Sequence, residues 1–329
     1  MVKCSRCVDS MATGATSRTL GISNSGHAQG NRMTAEAIIY TILWASAAIA
    51  TKFGLMAGPP LMLASFRFTF AGVFLLIIRR ITYHPLIPPR RWWRPLFILG
   101  ALNTTVYLGA SFIALTVIPA GLFNLFVATN PLMVLLVERF VLHRIITRNQ
   151  WVGLILATAG LALGAGQSLW QWQTPMWSLA LIVLGQTAMA LGSVYFHVSH
   201  IDLPNIEVNM WQLLTGATLL WPVALGTEGT VPIHWNAQWW GALVWLIGGV
   251  SIGAMLLWFH LLRHGGARQA SFWLLLTPVI GYILGWLLLH EFITWANIGA
   301  TLLVIGGLIL AQLSAPAAPR RKQTHSTNY

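Results

Sequence analysis

Charged residues are scarce in this chain: they make up 8% of its 329 residues, whereas hydrophobic residues make up 56%. An ordinary soluble domain carries about 25% charged residues. So little polar surface cannot cover a water-soluble globule of this size, and the composition therefore indicates a protein that crosses a membrane several times. The net charge of +12 does not indicate nucleic-acid binding, because the Lys and Arg residues stand in short clusters between apolar runs.

Cysteine is almost absent, and so are the motifs of metal centres. Cys4 and Cys7 are the only two thiols, and two thiols do not complete a four-ligand zinc site. We therefore expect no metal and no cofactor. Residues 1–34 are polar and lack the hydrophobic region of a signal peptide, so they are predicted to form a disordered cytoplasmic tail. Met33 directly precedes the first apolar run and is an alternative start of the protein.

Acidic residues number only seven, and the predicted spans place all of them in tails, loops or helix ends. Carboxylates in the middle of a membrane are the usual relays for protons or sodium ions. Their expected absence there leaves the coupling ion open and is compatible with an exchanger or a facilitator. Five histidines also map near helix ends, where anchoring or capping is the expected role: His143, His197, His260, His264 and His290.

Apolar runs of the length needed to cross the hydrocarbon core, about 20 residues, recur along the chain. Trp residues crowd the ends of these runs, as expected of anchors at the membrane interface. We predict an all-α polytopic membrane protein with ten transmembrane helices, near residues 35–54, 60–78, 95–114, 119–137, 149–167, 176–196, 207–226, 238–262, 266–288 and 294–313.

The distribution of basic residues predicts the orientation. With the N-terminus in the cytoplasm, all of the 19 Lys and Arg residues except Lys52 and Arg67 fall in the tails and loops of one side. The positive-inside rule assigns that side to the cytoplasm. Both termini are therefore predicted to be cytoplasmic, with residues 314–329 as a basic tail.

Two stretches of the chain have similar sequences: NPLMVLLVERFVLHRIIT begins at Asn130, and TPVIGYILGWLLLHEFIT begins at Thr277. A match that continues over about 40 residues indicates an internal repeat. Each repeat holds five predicted spans, and five is odd, so the second repeat enters the membrane inverted relative to the first. We predict two inverted five-helix units, at 35–167 and 176–313.

Inverted repeats are typical of secondary transporters, in which two halves rock about a central site and expose it to each side in turn. Pro131 and Pro278 stand at corresponding places in the two repeats and are predicted helix breaks. Such breaks free backbone carbonyls, which are tolerated only where they are buried in protein or line a cavity. Kinking of the helices for packing alone is the alternative.

Several short stretches occur in a fixed order: ILWAS and TKFG in the first span, PPLMLASFRF in the second, GSVYFH in the sixth and RQASFWLLLTPVIGYILGWLLLHEFIT in the ninth. On these residues the chain resembles the EamA-type transporters of the drug/metabolite transporter superfamily, over about 35–313. The resemblance implies ten helices in two five-helix EamA units, the bacterial inner membrane, and export or exchange of amino acids or other small metabolites. Some members confer drug resistance. The chain keeps Trp44 and Glu291 of the family pattern, but has Arg144 where the first unit carries the corresponding Glu and Met189 in place of the Trp of the sixth helix.

Two cations lie within predicted spans. Arg67 stands seven residues past Pro60, which places it about 10 Å into a core of about 30 Å. Three roles are open for Arg67: its side chain snorkels to the interface, bonds to backbone carbonyls or faces a wet cavity. In a cavity without a fixed anion, it would favour a substrate that carries a carboxylate. Lys52 lies at the outer end of the first span, where it snorkels or lines a vestibule.

Neutral polar and aromatic residues inside the spans complete the candidate lining of a substrate cavity, because polar side chains that face lipid are costly. Hydrogen bonding between helices is the alternative role for each of them. The candidates are Trp44, Asn103, Thr104, Tyr107, Ser111, Asn124, Asn130, Gln186, Ser193, Tyr195, Ser251, Trp258, Gln269 and Ser271.

The sequence thus predicts a secondary active transporter, an exporter or an exchanger, for a small metabolite such as an amino acid or an organic acid. Its expected partners are that substrate and the lipid bilayer; formation of a homo-oligomer stays open. A facilitative channel and a non-transporting membrane protein are alternatives. An intramembrane enzyme is disfavoured because a nucleophile with its base, or a set of metal ligands, is missing at motif spacing.

Overall fold

The computed structural model describes residues 33–82, 87–170 and 174–313. Within these ranges the regular secondary structure is helical throughout. Of the predicted tails, at 1–34 and 314–329, residues 1–32 and 314–329 lie outside the described residues, as do Cys4 and Cys7. Met33 and Thr34, predicted to belong to the disordered tail, instead begin the first helix.

The first unit consists of five helices. Prolines stand at the start of α2 and directly before α4, where the missing N–H has no intrahelical acceptor to lose. The helices are α1 (Met33–Leu55), α2 (Pro60–Ile81), α3 (Arg90–Leu115), α4 (Ala120–Val141) and α5 (Arg148–Trp170).

The second unit repeats this order. Its helices are α6 (Met176–Ser199), α7 (Asn205–Glu228), α8 (Ala237–Trp245, Leu246–Ala254 and Met255–Phe272 in succession), α9 (Thr277–Leu289, after a 3₁₀ turn at Trp273–Leu276) and α10 (Trp295–Leu313). The sequence predicts that the eighth span ends at residue 262 and the ninth begins at 266, whereas the described backbone stays helical past both bounds, to Phe272. Two glycines there cost only about 1 kcal/mol each in a helix, and no proline enforces a break.

Among the described residues, six helices are long and apolar enough to cross a membrane, and two shorter apolar helices, Trp273–Leu289 and Trp295–Ala311, follow them. Large hydrophobic side chains on their outer faces are exposed, as Phe70, Phe74 and Ile77 are on α2. Such a surface suits hydrocarbon and not water. The chain is therefore an all-α multi-pass membrane protein, and a count of ten spans is consistent with these elements.

Equivalent helices of the two units pack against each other in antiparallel pairs: α2 with α7, α4 with α9 and α5 with α10. In the last pair the backbone of Gly153 approaches Gly307, whereas that of Gly160 approaches Ala300, so the two sequences run in opposite directions. This direction is the one that an odd number of spans per unit requires. The two five-helix units are inverted relative to each other.

The third helix of each unit contains a nine-residue π-helical segment. These segments are Gly100–Leu108 in α3 and Leu246–Ala254 in α8, at an offset of 146 residues. π-Helical turns are rare and occur frequently at functional sites. Their occurrence at matching places is therefore a property of the duplicated unit.

The fourth helix of each unit is interrupted before its proline. In α4 the α-helix stops at Ala128 and resumes at Asn130, with Pro131 in the new first turn. In the second unit the 3₁₀ turn precedes Thr277, with Pro278 in the first turn of α9. Asn130 and Thr277 are fully buried, so both interruptions lie inside the protein.

The end of the fourth helix also has the same backbone in both units. His143 and His290 adopt the left-handed conformation, with φ of 55° and 56°. The next amide donates back to a carbonyl six residues earlier, from Arg144 to Glu138 and from Glu291 to Gly285, so that the chain turns back over the helix end after a left-handed residue. These two histidines occupy helix ends, where capping is the role expected from the sequence.

Candidate functional site

Arg67 lies in the interior of the bundle and is 1% exposed. Its Nε donates a hydrogen bond of 2.8 Å to Ser251 Oγ. Its guanidinium carbon lies 5.2 Å from the ring centroid of Phe68 and 5.6 Å from that of Phe112, which are cation–π distances. In the part of the chain that the structure describes, no carboxylate lies within ion-pair distance of it. The alternative that Arg67 snorkels to the interface is therefore wrong, since dipoles and aromatic faces surround this cation inside the protein.

A chain of buried polar groups continues from Arg67 through four helices. Asn209 Nδ2 donates to the Ser251 carbonyl at 2.7 Å, and Gln212 Nε2 donates to Asn209 Oδ1 at 3.3 Å. Asn103 Nδ2 then donates to Gln212 Oε1 at 3.3 Å. We call these five residues the polar chain; all of them are buried. Because Ser251 and Asn103 belong to the two π-helical segments, the polar chain links the two units at their irregular backbone.

Aromatic rings form a wall beside the polar chain. Trp44 stacks on Tyr107, with ring centroids 6.4 Å apart and an interplanar angle of 18°, and contacts Tyr40 at 5.7 Å. Tyr40 stacks in turn on Trp258 at 5.3 Å. All four side chains are buried. The candidates Trp44, Tyr107 and Trp258 are thus brought together from α1, α3 and α8.

A small cavity lies where Arg67 meets this wall. Its lining includes Trp44, Thr51, Tyr107 and Ser111, and its free volume is about 20 Å³. That is room for about one water molecule, whereas sites for small molecules span about 300–1,000 Å³. We call this cavity the chamber; in this structure it is too small to hold a metabolite.

Several polar atoms around this chamber are buried without a hydrogen-bond partner. Asn103 Oδ1 and Thr104 Oγ1 on α3 and Ser65 Oγ on α2 are in this state, and the Gln186 amide lies beside Tyr107. Each such group costs about 1–3 kcal/mol.

At one end of the bundle, Glu291 ties the second unit to the first. Its carboxylate accepts hydrogen bonds from the amides of Ala120 at 2.7 Å and Gly121 at 3.1 Å, at the N-terminus of α4, where a negative charge is stabilised by the helix dipole. Lys52 Nζ lies 3.8 Å from the same carboxylate, and its side chain is 21% exposed. Lys52 therefore takes part in an ion pair between the units instead of extending freely to the interface.

At the other end, an ion pair and a contact between a histidine and a carboxylate connect the units. Arg79 Nη2 and Glu207 Oε2 are 2.8 Å apart, with side chains 6% and 5% exposed, and His260 Nε2 lies 3.4 Å from Glu36 Oε2. The sequence assigns Arg79 to a cytoplasmic loop, and this assignment is wrong. The last turn of α2 meets the first turn of α7, so both charges are enclosed where the two helices pack.

Other candidates take part in helix-to-helix or local contacts. Asn124 Nδ2 donates to the carbonyls of Ala45 and Ala120, and Ser193 Oγ donates to the Met189 carbonyl of its own helix. Tyr195 is half-buried against the core, and Asn130 is buried at the interruption of α4. Gln269 and Ser271 lie in α8, but their side chains are outside the described part of the structure.

Asn209 and Gln212 are the site residues that sequence reasoning missed. The signal was present, because both are amides inside a predicted span, three residues apart and so on one face of α7. The same criterion that selected Asn103 and Gln186 applies to them. Their position in the polar chain follows from the packing of α7 against α2, α3 and α8.

Comparisons with known proteins give a consistent result. The model of the EamA-like transporter family matches residues 35–165 and 176–313. The chain is 28% identical over 285 residues to the uncharacterized inner membrane transporter YedA of Escherichia coli K12, covering 84% of this chain and 90% of YedA. It is 26% identical over 280 residues to the uncharacterized transporter YoaV of Bacillus subtilis, covering 83% and 94%.

Protein PecM of Dickeya dadantii is 25% identical over 284 residues, covering 85% of this chain and 92% of PecM. One solved crystal structure superimposes with a TM-score of 0.62 at 22% identity, over 86% of this chain and 99% of the other. At that identity the superposition shows the fold alone.

Proposed function

Because the chain belongs to the EamA-like transporter family, we propose that it is a secondary active transporter for a small metabolite with a carboxylate, such as an amino acid or an organic acid, which it exports or exchanges by alternating access. Membrane transport as such follows from the family and from relatives named as transporters. The substrate class, the direction and the mechanism are our proposal.

The observation that carries the substrate class is the environment of Arg67. A buried charge is costly unless it is paired and hydrogen-bonded, and the described surroundings offer Arg67 a hydroxyl and two aromatic faces but no anion. A guanidinium binds a carboxylate with two parallel hydrogen bonds. A substrate carboxylate would therefore supply the missing charge, and the amide of Gln186, which lies beside Tyr107, would bind a second polar group of the same molecule.

The closed chamber and the contacts between units support alternating access. A substrate cannot enter a cavity of about 20 Å³ unless the units separate at one end. Lys52 and Glu291 join them at one end, whereas Arg79 with Glu207 joins them at the other. We propose that these contacts open in turn, so that the chamber faces one side of the membrane at a time.

We also propose a bacterial inner-membrane location with both termini in the cytoplasm, on the basis of the basic loops. The test is to place single cysteines at residues 143 and 290 in a chain whose Cys4 and Cys7 are replaced by Ser. A membrane-impermeant thiol reagent added to intact cells is expected to label position 290 and not 143. Labelling of both positions from one face would contradict the inverted arrangement.

The decisive experiment is counterflow with the purified protein in liposomes preloaded with one amino acid or organic acid at a time. We expect saturable exchange of labelled substrate for at least one acid, and none for the matching amide, in which the carboxylate is neutral. Non-saturable flux without counterflow would favour a channel. Equal transport of an acid and its amide would remove the role proposed for Arg67.

A further inference from the structure

A groove on the membrane-facing surface lies between the start of α3 and the middle of α7. It is lined by Trp93, Phe97 and Ile98 on one side and by Trp211 and Thr215 on the other, with a free volume of about 610 Å³. The surface that faces the groove is almost wholly apolar. Its volume falls within the range of sites for small molecules, about 300–1,000 Å³, and is far larger than that of the chamber at Arg67.

The groove is separate from the chamber. Trp93, Phe97 and Ile98 are 53%, 50% and 37% exposed, whereas the polar chain is buried. α3 and α7 close against each other at Gly100, where a Cβ atom would collide with Thr215 and with the backbone of Gly216. The groove therefore ends at this contact and opens only outward, toward lipid.

Its mouth is positively charged. The apolar stem of Arg94 lines the groove, and the residue is exposed. Arg90 and Arg91 precede it in the same helix and are also exposed. None of the described lining residues is acidic. Arg side chains at a membrane surface attract anionic lipid headgroups, while their apolar stems cover hydrophobic surface.

The edge of the groove is held in place by a hydrogen bond. Trp93 Nε1 donates to the Pro88 carbonyl at 2.9 Å, which fixes the indole across the segment that leads into α3. Trp side chains with an apolar ring and a bonded N–H prefer the depth of lipid headgroups. The groove thus matches the parts of a phospholipid in order. Its apolar floor suits an acyl chain, the Trp93 ring lies at the level of the interface, and the arginines lie where the phosphate would be.

We propose that this groove binds an anionic phospholipid, with one acyl chain between α3 and α7 and its phosphate against Arg94. The site is independent of the transported substrate. Since α3 and α7 carry Asn103 and Gln212 of the polar chain, a lipid held between them also supports the helices on which the chamber depends.

The test uses the full-length protein in nanodiscs of phosphatidylcholine that contain a small fraction of phosphatidylglycerol with a photoreactive diazirine in its acyl chain. After irradiation, cross-linked peptides are mapped by mass spectrometry. We expect cross-links concentrated on residues 87–98 and 211–215. Unlabelled phosphatidylglycerol should reduce them, and unlabelled phosphatidylcholine should not. Cross-links spread evenly over the outer helix faces, or equal competition by the neutral lipid, would overturn the proposal.

Two variants locate the site. Arg94→Gln should lower cross-linking in the groove about fivefold, whereas the matched control Arg139→Gln, at an exposed arginine near the end of α4, should leave it unchanged. Ile98→Trp should also abolish the groove cross-links, because it fills the groove from a position exposed enough to accept a larger ring. Retained cross-linking in both groove variants would refute a lipid site here.

Discussion

Arg67 and Gln212 occupy matching places in the two units. Each is the eighth residue of a helix that follows a proline N-cap, α2 in the first unit and α7 in the second. Each is also bonded to a π-helical segment of the opposite unit, Arg67 to Ser251 and Gln212 to Asn103. The duplicated scaffold thus keeps the position and the hydrogen bond in both units, whereas the charge occurs in one unit alone.

This difference separates two requirements of a carrier. Inverted symmetry of the backbone makes the two arrangements of the units nearly equivalent, which a rocking mechanism needs. Recognition of one substrate molecule needs no such symmetry, because the substrate presents its carboxylate once. We infer that the repeated backbone of the two units provides the rocking movement, whereas the side chain of Arg67 provides the charge of the chamber.

The ends of α4 and α9 likewise share a backbone conformation but differ in their side chains. His143 and His290 have the same backbone conformation, but the next residues differ. Arg144 pairs with Glu138 of its own unit, whereas Glu291 reaches α4 and Lys52 of the other unit. One substitution at a repeated backbone position thus converts a local contact into a connection between the units.

The largest effect is expected from removal of the positive charge of Arg67, the feature that distinguishes the first unit from the second. Arg67→Gln places the residue of the second unit in the first, and we expect about a hundredfold loss of carboxylate counterflow, as for loss of one partner of a buried charge pair. Arg67→Lys keeps the charge without the planar fork and should lose about tenfold. Initial rates in liposomes at equal protein content measure both. Unchanged uptake of every acid by Arg67→Gln would contradict the proposed site.

The second prediction compares Glu291 with Arg144. Glu291→Ala removes the acceptor of two amides at the start of α4 and the partner of Lys52, so we expect a loss of about 2 kcal/mol in the free energy of unfolding. Arg144→Ala, at a side chain that is 57% exposed, should cost at most about 1 kcal/mol. Unfolding by titration with sodium dodecyl sulfate gives both values. Equal losses would show that the contact between the units adds no stability.

The third prediction concerns the crossing of α5 and α10 and uses two adjacent glycines. A Cβ at Gly307 would lie 2.5 Å from the Gly153 carbonyl oxygen and 2.9 Å from the Ala157 nitrogen, whereas a Cβ at Gly306 meets nothing within 4 Å. Gly307→Ala should therefore destabilise the protein by about 1–2 kcal/mol, and Gly306→Ala should be neutral or slightly stabilising. The same titration measures both variants, and a reversed order would contradict the antiparallel contact.

The last prediction has the smallest expected effect and tests whether Arg67 and Gln212 occupy equivalent positions. If the two units are interchangeable scaffolds, moving the cation across should restore part of the activity lost in Arg67→Gln. We expect the double variant Arg67→Gln with Gln212→Arg to transport about tenfold faster than Arg67→Gln alone, because the charge returns to the same chamber from the other side. A double variant no faster than the single one would show that the site is not pseudo-symmetric.

Much of the fold could be predicted because the bilayer imposes strong and local rules. The length of the apolar runs predicts the spans, and an odd number of spans in a repeated segment predicts the inversion. Arg67 stood out for a similar reason, since a cation in an apolar run is costly and therefore informative. The sequence argument left three outcomes open for it, and only the packing of Ser251, Phe68 and Phe112 around it excluded snorkelling.

Other features could not be predicted, because they depend on which helices meet. The sequence places Arg79 in a cytoplasmic loop and Glu207 in a tail, a loop or a helix end, whereas the packing of α2 against α7 encloses both side chains. Asn124 was a candidate for the cavity, but the neighbouring carbonyl of Ala45 satisfies its amide. A polar residue in a span has to point inward, and its spacing along the chain does not say whether it meets a substrate or another helix.

The sequence by itself determined the class of protein, the duplication and the inversion, because hydrophobic length and internal repetition are properties of the chain read in order. Tertiary structure alone decided which charges are paired, where the π-helical segments bring Ser251 and Asn103 into one polar chain, and how small the chamber at Arg67 is. These depend on distances between residues that are remote in sequence. Burial also lowers the local dielectric constant, and the interaction energy between a buried charge and each neighbouring group is therefore larger than it would be in water.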